Sequence, residues 1–247
     1  MKNPPVDLQF DPVSPPRAVD EIAGQLRAMI AAGALKPGDR LPAERDLAAR
    51  LQVSRNTLRE SLRALENAGL VEMRKGATGG AFVRSGSSGA IVTGMSDLYH
   101  LGGISPQHLT EARIWFSEIV VRVACERATE EDLARLEANV AAMARANEAG
   151  DFDERQRLNR EFHVILARAT RNPIVEMTIE GMMEVFGHFI RRIGPSDNPF
   201  LVPSRRRFLK YLRARDVERA GEEMTKLLVR LQERYLALWS ERVRATQ

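Results

Sequence analysis

From Ala18 onward apolar residues recur every three to four positions, and Ile22, Leu26, Met29 and Ile30 share one face of a predicted helix. The pattern stops at Gly33, and Lys36-Pro37-Gly38-Asp39 reads as a turn. A second, shorter helix follows Leu41-Pro42, because proline in a first turn already holds a helical φ, and it points Leu47, Ala48 and Leu51 inward. Val53 and Ser54, a good N-cap, introduce a third helix with Leu58, Leu62 and Leu65 on its buried face. Asn67-Ala68-Gly69 ends it. Two strand-like pieces, 70–74 and 81–84, flank Lys75-Gly76-Ala77-Thr78-Gly79-Gly80, which predicts a hairpin with a glycine-rich tip.

The remainder has a different texture. Residues 85–104 open with Ser-Gly-Ser-Ser-Gly, a linker composition, with room for a short helix around 91–101 before Gly102-Gly103. From Pro106 every segment has helical periodicity, and six helices are expected near 106–128, 130–148, 152–170, 173–193, 203–215 and 217–243. The segment 173–193 is apolar nearly all round (Ile174, Val175, Met177, Ile179, Met182, Met183), which marks it as central. Residues 1–16 carry five prolines and no apolar period, so they are expected to be mobile. The predicted fold class is mostly α. It comprises three helices plus a hairpin wing at 17–84, the outline of a winged helix-turn-helix, and an all-α helical bundle at 105–243.

Composition narrows the function classes. With 44% hydrophobic residues the chain can build cores, yet no apolar run approaches the roughly 18–20 residues that span a bilayer. The N-terminus resembles neither a signal peptide nor an anchor, so a cytoplasmic location without membrane contact is expected. The single Cys125 cannot form an internal disulfide, and within Ile119–Cys125 it reads as a small core residue. Net charge is +4, but residues 1–84 hold 13 basic against 10 acidic side chains, whereas 85–247 hold 24 against 23. The surplus sits where phosphates would be met. No Cys/His or Ser/His/Asp constellation and no phosphate loop appears, and only Lys210 and Lys226 lie beyond the wing, which argues against an enzyme. Trp115-Phe116 and Trp239 read as core or dimer-interface anchors.

The third helix carries the sharpest chemistry. Arg55, Arg59 and Arg63 stand four residues apart on one face, opposite Leu58, Leu62 and Leu65. Ser54, Asn56 and Thr57 sit on its first turn. A guanidinium pairs with both guanine acceptors, an Asn amide pairs likewise with adenine, and short hydroxyls hold phosphate. Read alone, the same pattern also fits a solvated amphipathic helix. Arg45 on the second helix and Arg74-Lys75 at the wing favour DNA, as do wing glycines that admit close backbone approach.

The stretch Leu35-Lys36-Pro37-Gly38-Asp39-Arg40-Leu41-Pro42-Ala43-Glu44-Arg45-Asp46-Leu47-Ala48 resembles the signature of the GntR family of transcription regulators. Val53-Ser54-Arg55-Asn56-Thr57-Leu58-Arg59-Glu60-Ser61-Leu62 continues it, as do Gly69-Leu70-Val71 and Gly79-Gly80-Ala81-Phe82-Val83. Beyond residue 105, Leu109-Thr110-Glu111-Ala112-Arg113, Phe162-His163, Ala169-Thr170-Arg171-Asn172-Pro173 and Ala214-Arg215-Asp216 resemble the FadR-type helical effector module, FCD. The resemblance implies a homodimer on a near-palindromic double-stranded DNA operator, with affinity set by a small, usually acidic effector. It places DNA contacts on Arg45, Ser54, Arg55, Asn56, Thr57, Arg59, Lys75 and Gly76.

Many such modules hold a divalent metal through an Asp, a His four residues on, and two later His. Here those positions carry Asn159, His163, Arg205 and Leu227, and Arg and Leu cannot ligate, so no metal or other cofactor is expected. His188 on the central helix could lend a nitrogen, though it also fits a packed core histidine. An acidic effector then needs another source of charge. Arg205 either supplies it or belongs to the exposed basic run Arg205-Arg206-Arg207, and Arg113 is a second candidate or a structural ion-pair partner. Candidate effector contacts are therefore Arg113, Asn159, His163 and Arg205. A DNA-binding protein of the same fold with a vestigial pocket remains the alternative.

Overall fold

The computed structural model describes residues 17–76, 79–84 and 89–245. The mobile segment expected at 1–16 and the Ser-Gly run at 85–88 lie outside them. Two compact units divide at Ser87/Ser88.

In the first unit, helix α1 (Arg17–Ala31) buries Ile22, Ala23 and Leu26, while Met29 turns outward and is exposed. Helix α2 (Glu44–Arg50) starts two residues after Pro42, and its buried residues are Leu47 and Ala48. The α2–α3 turn passes through Gln52 at φ 54°, a left-handed conformation that a side chain tolerates only in a tight turn. Helix α3 (Arg55–Asn67) packs Leu58, Leu62 and Leu65 against α1, and Gly69 at φ 73° closes it. Strands β1 (Val71–Arg74) and β2 (Gly80–Val83) pair antiparallel, from Val71↔Val83 to Arg74↔Gly80. Val71, Ala81 and Val83 fill the core of this unit. An isolated bridge, Arg40↔Phe82, ties the segment before α2 to the wing.

The second unit is all helix: α4 (Gly89–His100), α5 (Pro106–Arg127), α6 (Glu130–Glu148), α7 (Phe152–Ala169), α8 (Pro173–Ile193), α9 (Leu201–Arg213) and α10 (Val217–Ala245). Caps set the boundaries. Ser105, Asp151 and Asn172 accept backbone N–H groups at the starts of α5, α7 and α8, and Pro106 and Pro173 begin two of them. Thr129 and Asp132 form a reciprocal capping box on α6. Two arginines in left-handed turns latch loops to helix ends. Arg171 (φ 55°) donates to Asp132 Oδ2 at 2.5 Å, and Arg215 (φ 58°) donates to the Cys125 carbonyl at 2.7 Å and to that of Ala128. Helix α8 lies at the centre, against α4, α5, α7 and α10, with Val185, Phe186 and Phe189 fully enclosed. Cys125 is buried, which pushes its thiol up to about 11, as befits an inert core thiol. No helix among the described residues is long and apolar enough to cross a membrane.

The short helix for which 91–101 left room is α4, residues 89–100 of the stretch read as linker at 85–104, and it packs on α8 as part of the second unit. The fit depends on Gly181. A Cβ there would meet Met95 Sδ at 3.0 Å and Ile91 Cγ2 at 3.4 Å. Long-range packing of this kind leaves little trace in a 12-residue helix bordered by glycines.

Gly181→Leu should overpack this contact and destabilise the second unit by about 1–3 kcal/mol. Amide hydrogen exchange in 89–100 should rise more than elsewhere. Gly221→Ala, where a Cβ meets open space, should be neutral or gain about 0.5–1 kcal/mol in the same chemical denaturation series. Equal exchange of α4 in wild type and Gly181→Leu would refute the account.

Candidate functional site

The solvent face of α3 begins at its cap. Ser54 Oγ accepts the Thr57 N–H at 3.1 Å and lies 2.8 Å from Thr57 Oγ1, so the two hydroxyls organise the first turn. Arg55, Asn56, Arg59 and Arg63 project from the exposed side, while Ser61 is buried opposite them. Arg59 does not stand free. Its Nε donates to Glu44 Oε2 at 2.7 Å, an ion pair that fixes its direction and binds α3 to the start of α2. Arg45 is strongly exposed, beside Asp46 at 3.2 Å. Lys75 and Gly76 follow β1, with Gly76 at φ 105°. The next two wing residues lie outside the described ones.

The wing is braced by a residue that sequence reasoning did not single out. Arg40 donates through Nη2 to the Gly79 carbonyl at 2.5 Å, and Arg74 stacks 4.2 Å over the Phe82 ring. A Cβ at Gly79 would collide with the Arg74 and Gly76 carbonyl oxygens, so only glycine closes this loop. Arg40 sits about forty positions before its partner, beyond the reach of local periodicity.

The second constellation is interior. Four side chains from three helices come together: Arg113 of α5, Asn159 and His163 of α7, and Arg205 of α9. Arg205 is 1% exposed and donates through Nη2 to Asn159 Oδ1 at 2.7 Å, its guanidinium 4.1 Å over Phe162. Arg113 is 3% exposed, with Nη2 2.9 Å from His163 Nε2 and its guanidinium 4.2 Å over Phe186. Because guanidinium only donates, His163 Nε2 is the acceptor and the imidazole proton is on Nδ1. Burial, then the Arg113 and Arg205 charges, hold the His163 pKa well below the usual imidazole range, so this ring is neutral. Burial pulls Arg113 down to about 10 and, with the nearby Arg113 charge, Arg205 to about 9; both stay charged at neutral pH.

No carboxylate among the described residues pairs with either guanidinium. Arg113 Nε, Arg205 Nε and Arg205 Nη1 are buried donors without a protein partner among the described residues. The expectation of Arg113 as an ion-pair partner is therefore corrected, and Arg205 does not belong to the exposed run: Arg206 and Arg207 face solvent while Arg205 turns in. A signal existed. Leu201, Arg205, Phe208 and Leu212 lie on one stripe of α9, and Leu109, Arg113, Val120 and Ala124 on one stripe of α5. Tyr235, enclosed and electrostatically coupled to both arginines, was missed because it reads as an ordinary stripe residue of α10.

A cleft of about 300 Å³ opens between α7 and α8, with Asn159, Arg160, Phe186, Gly187 and Arg191 in its walls. Behind Asn159 lies a chamber of about 30 Å³ bounded by Arg155, Asn198 and Tyr235. The metal site that the family resemblance would imply does not fit these residues. The orphaned buried atoms beside Asn159 and His163 belong to Arg113 and Arg205 and are cationic donors, and the one imidazole acceptor is engaged by Arg113. Leu227 is a buried apolar residue. No group of three His, Cys, Asp or Glu able to hold a metal occurs among the described residues. His188 is half-buried, 3.8 Å from Glu184 and edge-on to His100, away from a packed-core role.

Comparison with known proteins follows the same division. Residues 18–83 match "Bacterial regulatory proteins, gntR family" and residues 108–230 match "FCD domain". The uncharacterized HTH-type transcriptional regulator YcbG of Bacillus subtilis is 27% identical over 88% of this chain and 90% of its own. The HTH-type transcriptional repressor NanR of Cronobacter sakazakii is 33% identical over 66% of this chain, a match that spans 62% of NanR. The Uxu operon transcriptional regulator of Escherichia coli is 32% identical over 64% of this chain and 61% of its own. Among solved structures, Streptococcus agalactiae GntR superposes with a TM-score of 0.64 at 23% identity, covering 87% of this chain and 99% of that one, a likeness of fold. The chain therefore belongs to the GntR family of bacterial regulatory proteins, transcriptional regulators rather than enzymes, with an FCD domain as its second unit.

Proposed function

We propose that this regulator binds a near-palindromic operator as a homodimer, in the cytoplasm, and that a small organic acid held in the helical unit sets its DNA affinity without a metal. The observation that carries the reading is the pair of buried guanidinium groups, Arg113 and Arg205, left without any acidic partner among the described residues. An unpaired buried charge is strongly unfavourable, and an entering carboxylate relieves it with charge-assisted, bidentate hydrogen bonds. Asn159 and His163 complete the contact set. The name of NanR as a repressor supports the same sense of action here.

At the operator, the first turn of α3 enters the major groove. Arg55, Asn56 and Arg59 read base edges there, while Ser54 and Thr57 hold phosphate. Arg45, Lys75 and Gly76 meet the backbone on either side. Dimerisation supplies the second half-site. It draws on the apolar surface of α5, where Trp115 (62% exposed), Phe116 and Ile119 project into solvent.

Arg55→Ala and Arg59→Ala should each abolish operator preference, a loss of about 1–3 kcal/mol per base contact. Lys75→Ala should weaken all DNA alike and lower the slope of log affinity against log salt by about one. Titrations at several salt concentrations test both, and an unchanged operator preference in Arg55→Ala would overturn the assignment. Light scattering should show a dimer at micromolar concentration that Trp115→Glu dissociates; a folded wild-type monomer would refute it. A thermal-shift screen of organic acids should find selective stabilisation that Arg205→Ala removes with operator binding intact. Elemental analysis of protein purified without chelator or a metal column should find substoichiometric zinc, nickel and manganese. A full equivalent per chain would sink the metal-free reading.

A further inference from the structure

The charge inventory of the interior site goes further than the presence of an acid. Around Asn159 and His163 the buried cluster carries two positive charges, Arg113 and Arg205, and no negative one among the described residues. His163 adds none, because its ring accepts from Arg113 and stays neutral. Among the described residues the Tyr235 phenol also interacts electrostatically with both arginines, and burial keeps it protonated. Ordered water could satisfy the orphaned Arg113 Nε, Arg205 Nε and Arg205 Nη1 as hydrogen-bond donors, but it cannot neutralise charge. A monocarboxylate would leave one guanidinium uncompensated in a desolvated place.

The two cations also have separate surroundings. Arg205 stacks on Phe162 and holds Asn159, whereas Arg113 stacks on Phe186 and holds His163. Asn159 and Phe186, one contact of each arginine, both line the cleft between α7 and α8. Neither guanidinium lines the cleft itself; Asn159 stands between it and Arg205, and Phe186 between it and Arg113. The cleft volume of about 300 Å³ suits a molecule of a few carbons.

We propose that the effector is a compact dianion that enters by the α7–α8 cleft, with one anionic centre compensating Arg205 and the other Arg113. The proposal rests on the acid-effector reading above and adds its charge, its two contacts and its route. Two negative charges can come from a dicarboxylate or from a phosphate monoester, and the cluster's electrostatics asks for either.

Titration calorimetry on the full-length protein at pH 8 and fixed ionic strength separates the cases. Four probes are compared: succinate, its monoanionic match butyrate, glycerol 3-phosphate, and glycerol. Succinate or glycerol 3-phosphate should bind at least about tenfold more tightly than butyrate, and which of the two does so identifies the source of the charge. Equal affinity for succinate, glycerol 3-phosphate and butyrate would overturn the dianion while leaving an acid effector standing. Binding of none of the three anions would overturn both readings together. Arg113→Gln should collapse the dianion preference to within a few-fold of butyrate, while butyrate affinity itself changes little. If that variant fails to fold, the wild-type comparison still decides the charge. Gly187→Phe places a ring in the cleft wall beside Arg191 and should weaken the preferred dianion at least about tenfold; undiminished affinity would overturn the route.

Discussion

Two guanidinium groups buried without a counter-charge among the described residues set the terms for the helical unit. Desolvating a cation is costly, and a protein ordinarily offsets that cost with a carboxylate. Here the offset is partial: the Asn159 carbonyl oxygen, the His163 nitrogen and the faces of Phe162 and Phe186 receive the charges. Aromatic faces and neutral acceptors soften a buried cation but leave its net charge in place. The surrounding helices must therefore hold the cluster together against its own repulsion.

They do so with reinforcement at their ends. The Thr129/Asp132 capping box, the Arg171 clasp on Asp132 and the Arg215 clasp on two carbonyls of the α5 terminus anchor neighbouring helices at loops. The Asn172 cap fixes where α8 begins. None of these contacts touches the arginines, yet each restricts helix positions and so keeps Arg113 and Arg205 from relaxing toward solvent. Stability in this unit is thus concentrated away from the place that spends it, a common arrangement where function requires a locally unfavourable site.

Much of this fold was readable from residue spacing, because amphipathic periodicity and capping are local. The Leu58/Leu62/Leu65 stripe with Arg55, Arg59 and Arg63 opposite placed α3, and the unbroken apolar character of 173–193 announced a central helix. Helix α4 was harder, since its burial depends on the absence of a side chain at Gly181, far along the chain. The wing brace from Arg40 is hidden for the same reason. For Arg205 the sequence pointed two ways. A run of three arginines suggests a solvated surface, while the spacing of Leu201, Arg205, Phe208 and Leu212 suggests an inward stripe, and the helical period proved the stronger signal. Whether an inward arginine meets a carboxylate depends on tertiary contacts, which periodicity does not encode.

A binding site built from unpaired charge has a thermodynamic consequence that a neutral pocket lacks. A ligand shifts a conformational equilibrium only as far as its affinity differs between the two states. In a neutral pocket that difference comes from shape and hydrogen bonds, and each contact adds modestly. In the proposed reading, an anion arriving at two uncompensated cations gains attraction and also removes mutual repulsion between Arg113 and Arg205. Helix α7, which carries Asn159 and His163, packs directly on the central helix α8. In the same proposed reading, the burial of charge that weakens the fold is the same feature that gives a small anion leverage over it.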